Sequence, residues 1–157
     1  AANDKDYITE GHYRIQNYIY NNLSIEAMKG EVNGKYNTFA QANSTTWSQT
    51  VWLDYVASED AYFIRTSVTG KNFLTLTPGG DYLVYSGINN KISPESLWKI
   101  THYENAGYVI ENVSQPDKIV KPADPYSFIA GDPIVCKIPE NGINNYLFAE
   151  IWKFVTN

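Results

Sequence analysis

Tyr13-Arg14-Ile15-Gln16-Asn17 is the stretch on which the reading of this chain turns, because it recurs. Tyr62-Phe63-Ile64-Arg65-Thr66 and Tyr108-Val109-Ile110-Glu111-Asn112 repeat the pattern Tyr-x-Ile-x-(Asn/Thr). The alternation puts Tyr and Ile on one face of a strand and mostly polar residues on the other. A turn-forming stretch follows each copy: Tyr20-Asn21-Asn22, Thr69-Gly70-Lys71-Asn72 and Ser114-Gln115-Pro116-Asp117-Lys118. A short apolar strand comes next: Leu23-Ser24-Ile25, Phe73-Leu74-Thr75-Leu76 and Lys118-Ile119-Val120. Each copy closes on a tryptophan strand, Val51-Trp52-Leu53, Leu97-Trp98-Lys99-Ile100 and Ile151-Trp152-Lys153-Phe154. Two marks in one order, three times over nearly the whole chain, are the signature of a repeat architecture.

The repeats run over about 12–60, 61–106 and 107–157 of one domain spanning 1–157. Helix signals are thin. Ile25-Glu26-Ala27-Met28-Lys29 is cut off by Gly30 and by the hairpin signal Asn33-Gly34. Short strands at regular spacing, about four to a repeat, predict an all-β, pseudo-threefold barrel with a hairpin cap. Closing the barrel also removes exposed sheet edges.

Composition narrows the function. The 157 residues are 43% hydrophobic and 18% charged, a composition for a folded core. The net charge is −5 and no basic cluster occurs, so a nucleic-acid or anionic-membrane partner lacks its Lys/Arg footprint. No apolar run approaches the ~18 residues of a membrane span, and Ala1 to Asp6 are polar, without a signal-peptide stretch. Cys136 is the only cysteine, which excludes an internal disulfide and a cysteine metal cluster and leans toward a cytoplasmic setting over a secreted one. Three sequons, at Asn22, Asn43 and Asn112, are close to what chance gives in a chain this rich in Asn, Ser and Thr.

The tryptophan strands carry a resemblance. Ricin-B-type β-trefoils end each repeat in Gln-x-Trp, and here Thr50-x-Trp52, Ser96-x-Trp98 and Glu150-x-Trp152 keep the tryptophans and not the glutamines. Leu23-Ser24-Ile25-Glu26-Ala27-Met28-Lys29-Gly30 is similar to the first sugar-site strand of small fungal agglutinins in that family. Phe73-Leu74-Thr75-Leu76-Thr77 and Ile92-Ser93-Pro94-Glu95-Ser96-Leu97-Trp98 are similar to their second repeat. Over residues 10 to 157 the chain thus resembles the R-type lectins. The resemblance implies a β-trefoil, a non-catalytic carbohydrate-binding role such as defence, and glycans of the galactose or N-acetylgalactosamine type as partners. It implies no cofactor and no metal. With one good site per chain, strength would come from a homodimer.

Sugar recognition needs a carboxylate or amide for adjacent hydroxyls and an aromatic face for the apolar side of the ring. By the resemblance a working repeat supplies an acid after its second strand, an aromatic about fifteen residues later and an Asn three before the Trp. The first repeat offers Glu26, then Phe39 with Trp47 further on, then Gln49, with Gly30 closing the strand motif. The second offers Thr77 and Glu95 with Tyr82 and Tyr85, a weaker set. The third has Pro122 near the acid position, Asp124 as a substitute and Ala149 before the Trp, and is expected to hold no standard site.

Each of these residues also has a plain reading. Trp52, Trp98 and Trp152, flanked by Leu and Ile, read as core, and Phe39 reads as packing more than as a platform. Glu26 and Trp47 divide evenly between ligand contact and ordinary surface or satellite core. Enzyme motifs are absent: there is no nucleophile elbow, phosphate-cradling loop or paired-His metal motif, and His12, His102 and Cys136 stand apart. The competing class is a β-trefoil protease inhibitor acting through exposed loops. Its motives are the missing glutamines and the Pro-stiffened segment from Pro122 to Pro139.

Overall fold

A computed structural model of the protein describes residues 8–32, 36–66, 73–77, 80–86 and 93–156. Asn33-Gly34 and the turn 69–72 lie outside the described residues. The first four strands are β1 (Gly11–Asn17), β2 (Leu23–Val32), β3 (Tyr36–Ala42) and β4 (Val51–Val56). The next four are β5 (Ala61–Thr66), β6 (Phe73–Leu76), β7 (Leu83–Ser86) and β8 (Trp98–Tyr103). The last four are β9 (Gly107–Asn112), β10 (Ile119–Pro122), β11 (Ile134–Lys137) and β12 (Trp152–Val155). Helix among the described residues is confined to three 3₁₀ turns, Trp47–Gln49, Pro94–Ser96 and Phe148–Glu150.

Six strands close a ring. β1 pairs with β12 and β4, β4 with β5, β5 with β8, β8 with β9 and β9 with β12, all antiparallel. The other six form hairpins β2–β3, β6–β7 and β10–β11. Each hangs on the ring by its first strand, through Gln16↔Ser24, Arg65↔Phe73 and Glu111↔Ile119. These registers make Ile15, Ile64 and Ile110 equivalent, and all three are fully buried in one core cluster. Burying such a side chain contributes about 1.5–3 kcal/mol, which is why the Tyr-x-Ile mark recurs.

The tryptophan mark slips in the first repeat. Asn17 pairs with Trp152 and Asn112 with Trp98, but the equivalent Thr66 pairs with Val51. Trp52 therefore stands one residue late, where the other repeats carry Lys99 and Lys153. Because strand side chains alternate, one step moves a residue to the opposite face. Trp98 and Trp152 are buried and donate their ring N–H to Leu74 O and Val120 O, both at 2.9 Å. Trp52 is half-buried, with His12 at a ring-centroid distance of 3.4 Å and the Arg65 guanidinium 5.1 Å from its ring.

The expected Thr50-x-Trp52 is thereby corrected to Gln49-x-Val51. The first repeat has kept the glutamine and lost the tryptophan. Ser96 and Glu150 hold the equivalent place before Trp98 and Trp152.

The hairpins pack on one another as a cap. Ala40 N–H donates to Asp132 O at 2.8 Å and Gly131 N–H to Ala40 O at 2.7 Å, while Phe39 bridges Pro133. Cys136 N–H donates to Asp81 O at 2.8 Å, tying the third hairpin to the approach of the second.

Candidate functional site

Glu26 lies on β2 directly opposite Phe39 of β3. The chain leaves β3 through Asn43–Thr46 and closes into the 3₁₀ turn Trp47–Gln49, which brings Gln49 back over the hairpin. Gln49 is 1% exposed. Its amide donates to Glu26 Oε1 at 3.1 Å and to Ala42 O at 2.7 Å, and its carbonyl accepts Ser44 N–H at 2.9 Å. Both amide hydrogens and the carbonyl are thus engaged by protein, and Gln49 holds one oxygen of the half-buried Glu26 carboxylate in place.

The other expected residues divide. Phe39 is 6% exposed, in the row that runs from Glu26 through Phe39 to Pro133. Trp47 is 68% exposed. Gly30 lies in β2 between Ala27 and Val32, where the pairing with β3 is irregular. Next to the site, Ser24 Oγ donates to Asn43 Oδ1 at 2.6 Å and accepts from Arg14 Nε at 3.1 Å, and Asn43 donates to Asn21 O at 2.8 Å. These bonds brace the start of the 43–50 loop against β1 and β2.

The same junction is built from other residues in the other repeats. Register places Thr75, not Thr77, at the position of Glu26. Thr75 Oγ1 and Ser96 Oγ lie 2.8 Å apart, a hydroxyl pair in place of carboxylate and amide. Thr77 instead bonds Tyr82 O at 3.0 Å. Glu95 takes a short hydrogen bond from Ser93, which holds its carboxyl below the usual range. Tyr82 is half-buried.

In the third repeat the position belongs to Lys121, not to Pro122 or Asp124. Lys121 is 2% exposed and reaches Glu150, 0% exposed, at 3.0 Å and Glu140 at 3.1 Å. Glu150 also accepts Leu147 N–H at 2.9 Å and Glu140 N–H at 3.0 Å, so the buried charges are paired and bonded. Pro122 is buried opposite Ile134, and Asp124 accepts Tyr126 N–H at 3.0 Å within its own turn. Lys121 was missed because a lysine reads as surface. Counting two residues on from Ile119 in register with Ser24 would have found it.

Comparison with solved structures finds this architecture repeatedly. Residues covering 96% of this chain match a mosquitocidal holotoxin at TM-score 0.81 and 19% identity, and correspond to 18% of that chain. The Rhizoctonia solani agglutinin matches 96% of this chain and 98% of its own at TM-score 0.70 and 14% identity. An endo-β-galactosidase from Clostridium perfringens that releases GlcNAcα1-4Gal matches 92% of this chain and 32% of its own, at TM-score 0.70 and 12% identity.

The chain has the β-trefoil fold.

No family model and no curated protein sequence matches it. The chain spans only a fraction of the toxin and of the glycosidase, and most of the agglutinin.

Elsewhere on the trefoil, His12 is spent on Trp52, and His102 meets the Tyr108 ring edge-on at 5.1 Å. Cys136 is buried, and burial pushes its thiol up to about 12, far from a nucleophilic thiolate. Among the described residues no group of three His, Cys, Asp or Glu has metal-holding geometry, and no helix is long and apolar enough to cross a membrane.

Proposed function

We propose that this trefoil binds carbohydrate without a catalytic step, through the junction of hairpin β2–β3 with the turn Trp47–Gln49. The observation that carries the reading is the 3.1 Å bond from Gln49 to Glu26. It fixes a half-buried carboxylate by one oxygen, and the second oxygen is the acceptor offered to vicinal hydroxyls. Gln49 acts as a positioning residue, since its own polar atoms are engaged by protein. A carboxylate oriented beforehand loses little freedom on binding, which favours a weak, wet sugar site over no site at all.

The hydroxyl pair in repeat two and the buried ion pair in repeat three support one working site per chain. Agglutination would then need a homodimer, or further sugar-binding units on a longer chain. By the resemblance the ligands are glycans ending in galactose or N-acetylgalactosamine. The inhibitor alternative is weakened, because Gln49 stands at the glutamine position, though Ser96 and Glu150 still replace the other two.

The test is a glycan array carrying galactose- and N-acetylgalactosamine-terminated oligosaccharides, run beside a panel of cysteine and serine proteases. Binding to the array with no protease inhibited is the expected result. Protease inhibition with a blank array overturns the proposal.

A further inference from the structure

A sugar site built on Glu26 lacks an obvious ring platform. Phe39, which faces Glu26 across the hairpin, is 6% exposed and bridged to Pro133 of the third repeat. A residue that is only 6% exposed has no ring face to offer a pyranose. Trp47 has the opposite character. It is 68% exposed, and among the described residues no ring stacks on it. The first residue of the other two 3₁₀ turns is Pro94 in repeat two and Phe148 in repeat three. Phe148 is 49% exposed, less than Trp47, and rests on Tyr18 at a centroid distance of 5.5 Å, a ring contact that Trp47 lacks among the described residues.

The backbone under Trp47 is braced on both sides. Thr50 N–H donates to Trp47 O at 3.1 Å, Gln49 N–H to Thr46 O at 3.1 Å, and Thr50 Oγ1 to Thr46 O at 3.1 Å. Thr46 Oγ1 and Ser48 Oγ lie 3.0 Å apart across the tryptophan, and Thr46 N–H donates to Ser44 Oγ at 3.1 Å. The turn's last side chain, Gln49, is the one bonded to Glu26. A large exposed indole is therefore carried on a pre-ordered turn whose far end grips the site's carboxylate. An indole left in water forgoes the gain of burial, and a ligand that covers it recovers that gain on binding.

From this we infer that Trp47, not Phe39, is the aromatic platform of the site, covering the apolar C–H face of the bound sugar. The inference rests on the carbohydrate reading above. It moves the stacking face from the hairpin to the 43–50 loop, so substitutions at Trp47 and not at Phe39 would change the stacking.

The protein reports on this by itself. Trp98 and Trp152 are fully buried and Trp52 is flanked by His12 and Arg65, so Trp47 is the tryptophan open to water. The wild type, Trp47→Ala, Phe39→Leu and Glu26→Ala are each titrated with lactose and with N-acetylgalactosamine, following affinity and tryptophan emission. Circular dichroism checks that each variant is folded. N-bromosuccinimide oxidation is run with and without sugar.

In the wild type, sugar shifts the emission to the blue and slows oxidation of one tryptophan. Trp47→Ala loses the shift and at least tenfold in affinity while staying folded, and Phe39→Leu, if folded, keeps the shift. Wild-type affinity in Trp47→Ala, with affinity lost in Glu26→Ala, overturns the platform assignment and leaves the carbohydrate reading standing. No binding of either sugar by the wild type, with a blank glycan array, overturns both.

Discussion

In the first repeat the junction between hairpin and 3₁₀ turn joins a half-buried carboxylate to a buried amide. In the third repeat it joins a buried ammonium to two carboxylates. The backbone positions are equivalent, and the chemistry is not. Lys121 and Glu150 satisfy each other inside the protein, whereas Gln49 spends itself on orienting Glu26. The pseudo-threefold frame thus separates two tasks that one junction can perform, locking the fold or presenting a group to solvent.

The comparison is broken most forcefully at the locked junction. Lys121→Ala leaves Glu150 as an uncompensated buried charge, and removing one partner of such a pair costs about 3–5 kcal/mol. Urea unfolding should show a loss of that size. A loss under about 1 kcal/mol would mean that the third junction is no lock. At the open junction the effect falls on binding. Glu26→Ala removes a charged acceptor worth about 1.5–3 kcal/mol, a ten- to hundredfold loss of sugar affinity by calorimetry. Stability should fall by only about 1 kcal/mol, from one amide hydrogen of Gln49 left without its acceptor.

Trp52 sharpens the comparison on the outer wall. Trp52→Lys installs the residue that the other repeats carry there and sets it opposite Arg65. Losing the guanidinium contact and adding a like charge costs roughly 1 kcal/mol. A loss of several kcal/mol would place Trp52 in the core.

These differences also mark what the sequence discloses. The Tyr-x-Ile mark was legible because Ile15, Ile64 and Ile110 repeat a burial that period-two alternation records directly. The tryptophan mark was misread in repeat one because a tryptophan's identity does not reveal which face it is on. Counting from Thr66, which pairs with Val51, corrects it. Glu26 and Gln49 were legible as neighbours, since a repeat returns its end to its second strand, but Gln49 stands two places before the tryptophan position held by Val51 and not three.

The packing role of Phe39 was legible, but its backbone bridge to Pro133, contributed by another repeat, was not. Nor was the role of Gln49, which depends on three partners found only in the folded loop. Lys121 hid for a similar reason: only tertiary structure brings Glu140 and Glu150 to it.

The central claim is that the first-repeat junction is the sugar site. Amide chemical-shift mapping by NMR during a titration with N-acetylgalactosamine or lactose, whichever binds more tightly, tests it most directly. The account predicts that the perturbed signals gather at Glu26, at Ser44 through Thr50 and at the Gln49 side-chain amide, with Thr75, Ser96, Lys121 and Glu150 unmoved. Shifts centred on Thr75 and Ser96, on Lys121 and Glu150, or on the loop from Asp124 to Asp132 would contradict it.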